Sequence, residues 1–114
     1  MSRRADLGAV FIRDDVVGSI AALAAQEVMG VSGIWEGVVP WKRYFGKSAV
    51  QVELQDQEAR LWLNLVVDYG VSLPEVGTEV QDRVREMVER MTGLTVSEVN
   101  VSIHHVKPRR SEPK

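Results

Sequence analysis

Residues 50–68 read VQVELQDQEARLWLNLVVD. Apolar and polar side chains alternate through Val50-Gln-Val-Glu-Leu-Gln55, and the pattern resumes after Asp56-Gln57. There Ala59, Leu61, Leu63, Leu65 and Val67 alternate with Arg60, Trp62, Asn64, Val66 and Asp68. A period of two over such runs is the mark of a strand with one face buried. The two-residue break makes the pair an antiparallel hairpin. Its second strand presents four large aliphatic side chains on one face, which need a layer to cover them.

The flanking sequence supplies that layer. Downstream, Ser72-Leu-Pro-Glu75 opens a helix: a capping serine, a proline in the first turn and a glutamate positioned for a capping box. Val76, Val80, Val84, Met87, Val88 and Met91 follow at helical spacing, and Thr92-Gly93 ends the run. Glu79 with Arg83, and Glu86 with Arg90, have the spacing of favourable pairs on the outer face. Val99, Val101 and Ile103 then alternate as a last strand, stopped by Pro108. Upstream, Asp14 and Asp15 mark a helix start where the dipole favours acids. Val16, Ile20, Leu23, Ala24 and Val28 are expected to form its buried face, and Gly30 its stop. Two further apolar runs, Gly8–Ile12 and Val31–Trp35, are read as short strands. The expected fold is α+β, with two helices packed on one face of a mainly antiparallel sheet of four to five strands. Residues 1–7 are expected to be a flexible N-terminus, 8–107 a single domain and 108–114 a basic flexible tail.

The composition suits that fold and removes several functions. In 114 residues there is room for one domain, and 45% apolar with 26% charged residues is ordinary for a soluble globular chain. The longest apolar stretch, Val16–Val31, is too short and too polar to span a bilayer. With no cysteine, disulfides, thiolate metal sites and thiol catalysis are excluded. Net charge is −2, but unevenly laid out. Arg3 and Arg4 open the chain, and Lys107, Arg109, Arg110 and Lys114 close it. The body between is acidic apart from one basic stretch, Lys42, Arg43 and Lys47. A chain that holds nucleic acid by bulk charge is normally basic throughout.

Motifs of catalysis are missing. No Gly-x-Ser-x-Gly elbow, phosphate-cradling loop or His-Glu-x-x-His stands in the chain. His104 and His105 are neighbours on a strand, so alternation sends them to opposite faces. Asp14-Asp15 is accounted for by a helix start, and Asp68-Tyr69-Gly70 by a strand-end turn. The expectation is therefore a protein that is no enzyme and holds neither cofactor nor metal. Two features point instead to contact. The first is Trp41, Lys42, Arg43, Tyr44, Phe45 and Lys47, where aromatic and basic residues interleave inside the loop 36–49. Such a mixture suits protein interfaces, anionic membrane surfaces or stacked bases; packing of Trp41 and Phe45 into the core is the plain alternative. The second is Trp62 with Val66, which face away from the helices and suit self-association or coverage by that loop. Gly30-Val-Ser-Gly33 has the bare spacing of the phosphate-clamping loop of KH domains, so a KH-like RNA-binding module is the alternative function. Here the motif joins a helix to an apolar run and lacks flanking Lys or Arg.

Several stretches taken in order resemble the alkaline shock protein family of envelope stress proteins. They are Val16-Val17 … Ile20-Ala21 … Ala24-Ala25-Gln26-Glu27-Val28-Met29-Gly30-Val31, then Lys42-Arg43 … Gly46-Lys47 before a Val-x-Val strand. The third is Leu65-Val66-Val67-Asp68-Tyr69-Gly70-Val71, continued by Pro74-Glu75-Val76, Val80-Gln81, Met91-Thr92-Gly93-Leu94 and Val99-Asn100-Val101. The resemblance spans about residues 8–106. It implies a non-enzymatic scaffold or assembly protein of the bacterial cytoplasm, linked to cell-envelope stress. It also implies homo-oligomers and, in some members, attachment at the inner face of the membrane through a membrane-embedded protein. The loop departs from the family pattern: it is short and aromatic where family members often carry a longer Gly-rich stretch.

Overall fold

The computed structural model describes residues 8–35 and 50–108. In chain order the elements are α1 (Asp14–Gln26), β1 (Val31–Ile34), β2 (Val50–Gln55), β3 (Glu58–Asp68), α2 (Leu73–Thr92) and β4 (Thr95–Lys107). The hairpin forms as its alternation requires. β2 and β3 are antiparallel from Val50 opposite Leu63 to Gln55 opposite Glu58. Asp56 turns between them in the left-handed region, φ 59°, a conformation that aspartate tolerates better than most residues.

β3 is the centre of the sheet. β4 runs parallel to it along its whole length, from Glu58 opposite Thr95 to Asp68 opposite Lys107. The other side of β3 is shared by β2 and by β1, which pairs antiparallel with Leu65–Val67. Trp35 donates its backbone N–H to the Asn64 carbonyl at 2.7 Å, and Val50 stands opposite Leu63. β1 and β2 are thus two halves of one lane, interrupted between neighbouring positions by residues 36–49.

Both helices lie on one face. Leu61, Leu63, Leu65 and Val67 are completely buried there, with Val80, Val84 and Val88 of α2 and Val17, Ala21, Ala24 and Ala25 of α1. Each large aliphatic side chain so buried contributes roughly 1.5–3 kcal/mol. α2 is bounded as its sequence indicates. The Ser72 hydroxyl accepts the Glu75 N–H at 3.5 Å, and Gly93 closes the helix at φ 79° with its N–H on the Glu89 carbonyl. Arg90 and Glu86 pair at 3.0 Å. Arg83 reaches across to Glu27 of the α1 cap at 3.5 Å rather than along its own helix. Gly30 carries two constraints at once. Its φ is 101°, and an added Cβ would lie 3.0 Å from Val76 Cγ2 and 3.2 Å from Val71 Cγ1.

Some expectations are corrected. Gly8–Ile12 is not a strand: Val10 and Phe11 are 89% and 85% exposed, and both sides of β3 are already occupied. α1 is rotated relative to the expected face. Val17, Ile20, Ala21, Ala24 and Ala25 are buried, whereas Val16 and Leu23 are exposed. The cause is the small-residue stripe, which lets the helix approach more closely than a face of large side chains would. Met91 likewise faces solvent. The segments 1–7 and 109–114, and the loop 36–49, lie outside the described residues.

Candidate docking face of the sheet

The helices cover one side of the sheet and, among the described residues, leave the other free of secondary structure. That second side carries Trp62, Asn64 and Val66 of β3, each half-buried, between fully buried neighbours. Trp62 stands opposite Gln51 on one side and Asn100 on the other. Asn100 is held in place by two bonds from its amide nitrogen, to the Leu61 carbonyl at 3.3 Å and to Glu98 Oε1 at 3.2 Å. Toward the hairpin tip Arg60 and Glu53 pair at 3.6 Å. The face is a mixed surface: an indole among amides and paired charges.

The other end of the face is organised by Trp35. Its ring stacks on His104, centroids 5.9 Å apart and planes 11° apart, and lies 6.2 Å from the ring of His105. Trp35 belongs to the lane on one side of β3 and the histidines to the lane on the other, so the indole lies across β3. This contact overturns the expectation that the two histidines diverge. Between Ile103 and His105 the pairing with β3 slips by one residue: Leu65 faces Ile103 and Val66 faces His105. His104 is the extra residue of a β-bulge, and a bulge cancels one step of the alternation. Both imidazoles therefore reach the same indole. Sequence reasoning missed Trp35 as a member of this face; the signal was an aromatic residue one step past a strand of small and aliphatic residues.

Of the residues expected to self-associate, Trp62 and Val66 share this face as the alternation required. The expected docking residues Trp41, Lys42, Arg43, Tyr44, Phe45 and Lys47 lie outside the described residues. Among the described residues no cluster of three metal-ligating side chains occurs, and every buried side-chain polar atom has a partner. Gly30-Val-Ser-Gly33 turns from α1 into β1 rather than joining two helices.

A family model matches residues 2–108, that of the alkaline shock protein 23 family, described by a cell envelope-related function. The chain belongs to this family. Its relatives include the uncharacterized protein YqhY of Bacillus subtilis, 37% identical over 85% of this chain and 76% of that one. A second Bacillus subtilis relative, YloU, is 28% identical over 91% of this chain and 92% of its own. A Streptococcus pyogenes protein named stress response regulator gls24 homolog is 28% identical over 84% of this chain, which spans 57% of its length. Among solved structures, the copper form of a MamM CTD superposes with a TM-score of 0.53 over 82% of this chain and 98% of that one, at 16% identity. At that identity the likeness is one of fold. The family and its names tie the chain to the cell envelope and to stress responses. Among the described residues, no helix is long and apolar enough to cross a membrane.

Proposed function

We propose that this protein is a non-enzymatic assembly and docking protein of the bacterial cytoplasm, serving the cell envelope by self-association and by contact with a protein partner. The observation that carries the reading is the open face of the sheet. It presents the half-buried Trp62 and Val66 in a strand whose other face is the core, and among the described residues no cleft of convergent acid, base or nucleophile stands beside them. One recess among the described residues, about 400 Å³, sits at the hairpin tip and is lined by Glu53, Asp56, Glu58 and other polar residues. It lacks the apolar lining of a small-molecule site.

Self-association is tested by sedimentation of the wild type and Trp62→Glu over a range of concentrations. The charge is placed on a contact surface and outside the core, so the fold persists while the mean mass falls. An unchanged mass refutes the open-face contact, and an unfolded variant shows that Trp62 is structural. For the loop, the partner class decides the pattern. With a protein partner, Trp41→Ala and Tyr44→Ala weaken binding more than replacing Lys42, Arg43 and Lys47 with Ser, and salt matters little. The KH-like alternative rests on the same basic residues. It requires RNA binding that falls steeply with salt and is lost in the triple-Ser variant.

A further inference from the structure

Among the described residues β4 is an edge strand thirteen residues long, and its outer edge is treated in two different ways. In its first half α2 supplies the missing hydrogen bonds. Glu89 accepts the Val96 N–H at 2.9 Å, Arg85 Nε donates to the Val96 carbonyl at 3.4 Å, and Gln81 Nε2 donates to the Val99 carbonyl at 3.0 Å. These three side chains stand four residues apart, on one ridge of α2 that follows the strand. Two steps further back along the ridge are Gly77 and Leu73. Gly77 has no side chain, and a Cβ built on it would meet nothing within 4 Å; Leu73 is apolar and 40% exposed.

Backbone direction alternates along a strand, so Val101 and Ile103 point their N–H and C=O groups outward, as Val99 does. Among the described residues no side chain reaches those groups. The edge among the described residues is thus capped at Val96 and at the Val99 carbonyl, uncapped at Val101 and Ile103, and interrupted by the His104 bulge beyond. An open edge of this kind is a template for another strand, and here it lies under a helix that has been thinned to a glycine.

We infer that the Val101–Ile103 edge pairs with the same edge of a second copy, antiparallel about a two-fold axis at Ser102. This inference rests on the self-association reading but places a contact at a different surface from Trp62. The self-complementarity of the segment is what argues for a second copy. A register centred on Ser102 matches Val101 with Ile103 of the other copy, twice over, and so uses all the outward groups of both residues in four backbone hydrogen bonds. Moving the centre to Val101 would bring Val99 into the ladder, where its carbonyl is already taken by Gln81. In the Ser102 register Ser102 meets Ser102, His104 meets Asn100 and Glu98 meets Val106, so no like charges oppose each other. Val101 and Ile103 are half-buried on the helix side, and pairing covers their remaining surface beneath Gly77.

The chain lacks cysteine, which makes the register directly measurable. Residues facing each other in a non-hydrogen-bonded antiparallel pair have Cα atoms about 4.5 Å apart, within the range a disulfide spans. In the full-length chain, Ser102→Cys should form a disulfide-linked dimer under mild oxidation at least about ten times faster than Ser97→Cys, which lies on the capped half. Gly77→Glu placed in the Ser102→Cys chain should abolish that advantage. It should also hold or raise thermal stability, because glycine disfavours a helix interior by roughly 1 kcal/mol. Loss of crosslinking therefore would not reflect misfolding. Equal crosslinking of the two cysteine variants overturns the inference, as does crosslinking indifferent to Gly77→Glu. Sedimentation separates the two readings. If Trp62→Glu lowers the mass and Gly77→Glu does not, the edge contact fails and the open-face contact stands. A wild type that is monomeric at all concentrations refutes both.

Discussion

Gly30→Ala tests the packing between the helical layer and the entry to β1. Two costs are separable at this position. A non-glycine residue held in the left-handed region costs roughly 1–2 kcal/mol, and the φ of 101° lies beyond the usual left-handed minimum. The added Cβ would also stand 3.0 Å from Val76 Cγ2 and 3.2 Å from Val71 Cγ1. Val76 is 5% exposed and belongs to the core, so it has little room to withdraw. Forcing an extra methyl into packed surroundings costs about 1–3 kcal/mol. Reduced freedom of the unfolded chain returns about 0.4–1 kcal/mol. The net loss is therefore about 2–4 kcal/mol, a large part of the roughly 5–15 kcal/mol that holds a domain together. Gly93→Ala is the control. Its φ is 79°, and nothing lies within 4 Å of an added Cβ, so it should lose only the backbone part. Urea denaturation of both variants, with the slope of the transition checked for constancy, gives the difference. Val76→Ala in the Gly30→Ala background should recover part of the contact cost. The reasoning is refuted if Gly30→Ala costs no more than Gly93→Ala, or if the double variant shows no recovery.

Val84→Asp should abolish cooperative folding, because Val84 is completely buried and an unpaired charge there costs several kcal/mol; circular dichroism during denaturation reads the outcome. Ser72→Ala should lose about 0.5–1 kcal/mol, the low end for a helix cap, since the Glu75 N–H to hydroxyl distance is a long 3.5 Å. Breaking the Arg83–Glu27 pair with Arg83→Ala should change stability by less than about 1 kcal/mol, because both side chains are about half exposed.

The parts of the fold that were legible were those where one periodicity operates undisturbed. Leu61, Leu63, Leu65 and Val67 announced the buried face of β3, and Ser72 with Gly93 announced both ends of α2. The face of α1 was harder. Where a helix packs through alanines, hydrophobic size stops being a guide, and Leu23 looked more buried than Ala21. The strand expected at Gly8–Ile12 shows the limit of local reading: an apolar run becomes a strand only where it pairs with a neighbour, and this one pairs with none of the described strands. The convergence of His104 and His105 on Trp35 was hidden for another reason. A bulge shifts the phase of the alternation, but here the shift falls at the end of the strand, where only Val106 remains to show it, so the pairing with β3 is what reveals it. The open-face placement of Trp62 and Val66 needed nothing beyond the period of two.

The interrupted lane has a consequence for how members of such a family diverge. Because Trp35 and Val50 occupy consecutive positions beside β3, whatever joins them begins and ends at the same place in the scaffold. The closure cost of such an excursion grows only by about 0.6 kcal/mol for each doubling of its length. Length and chemistry there are accordingly free to drift while the hairpin register, the core and β4 stay fixed. Residues 36–49, with their aromatic and basic content, occupy the position of an exchangeable cassette. Transplanting the corresponding segment from a relative should carry its binding preference with it and leave the unfolding transition of the recipient nearly unchanged.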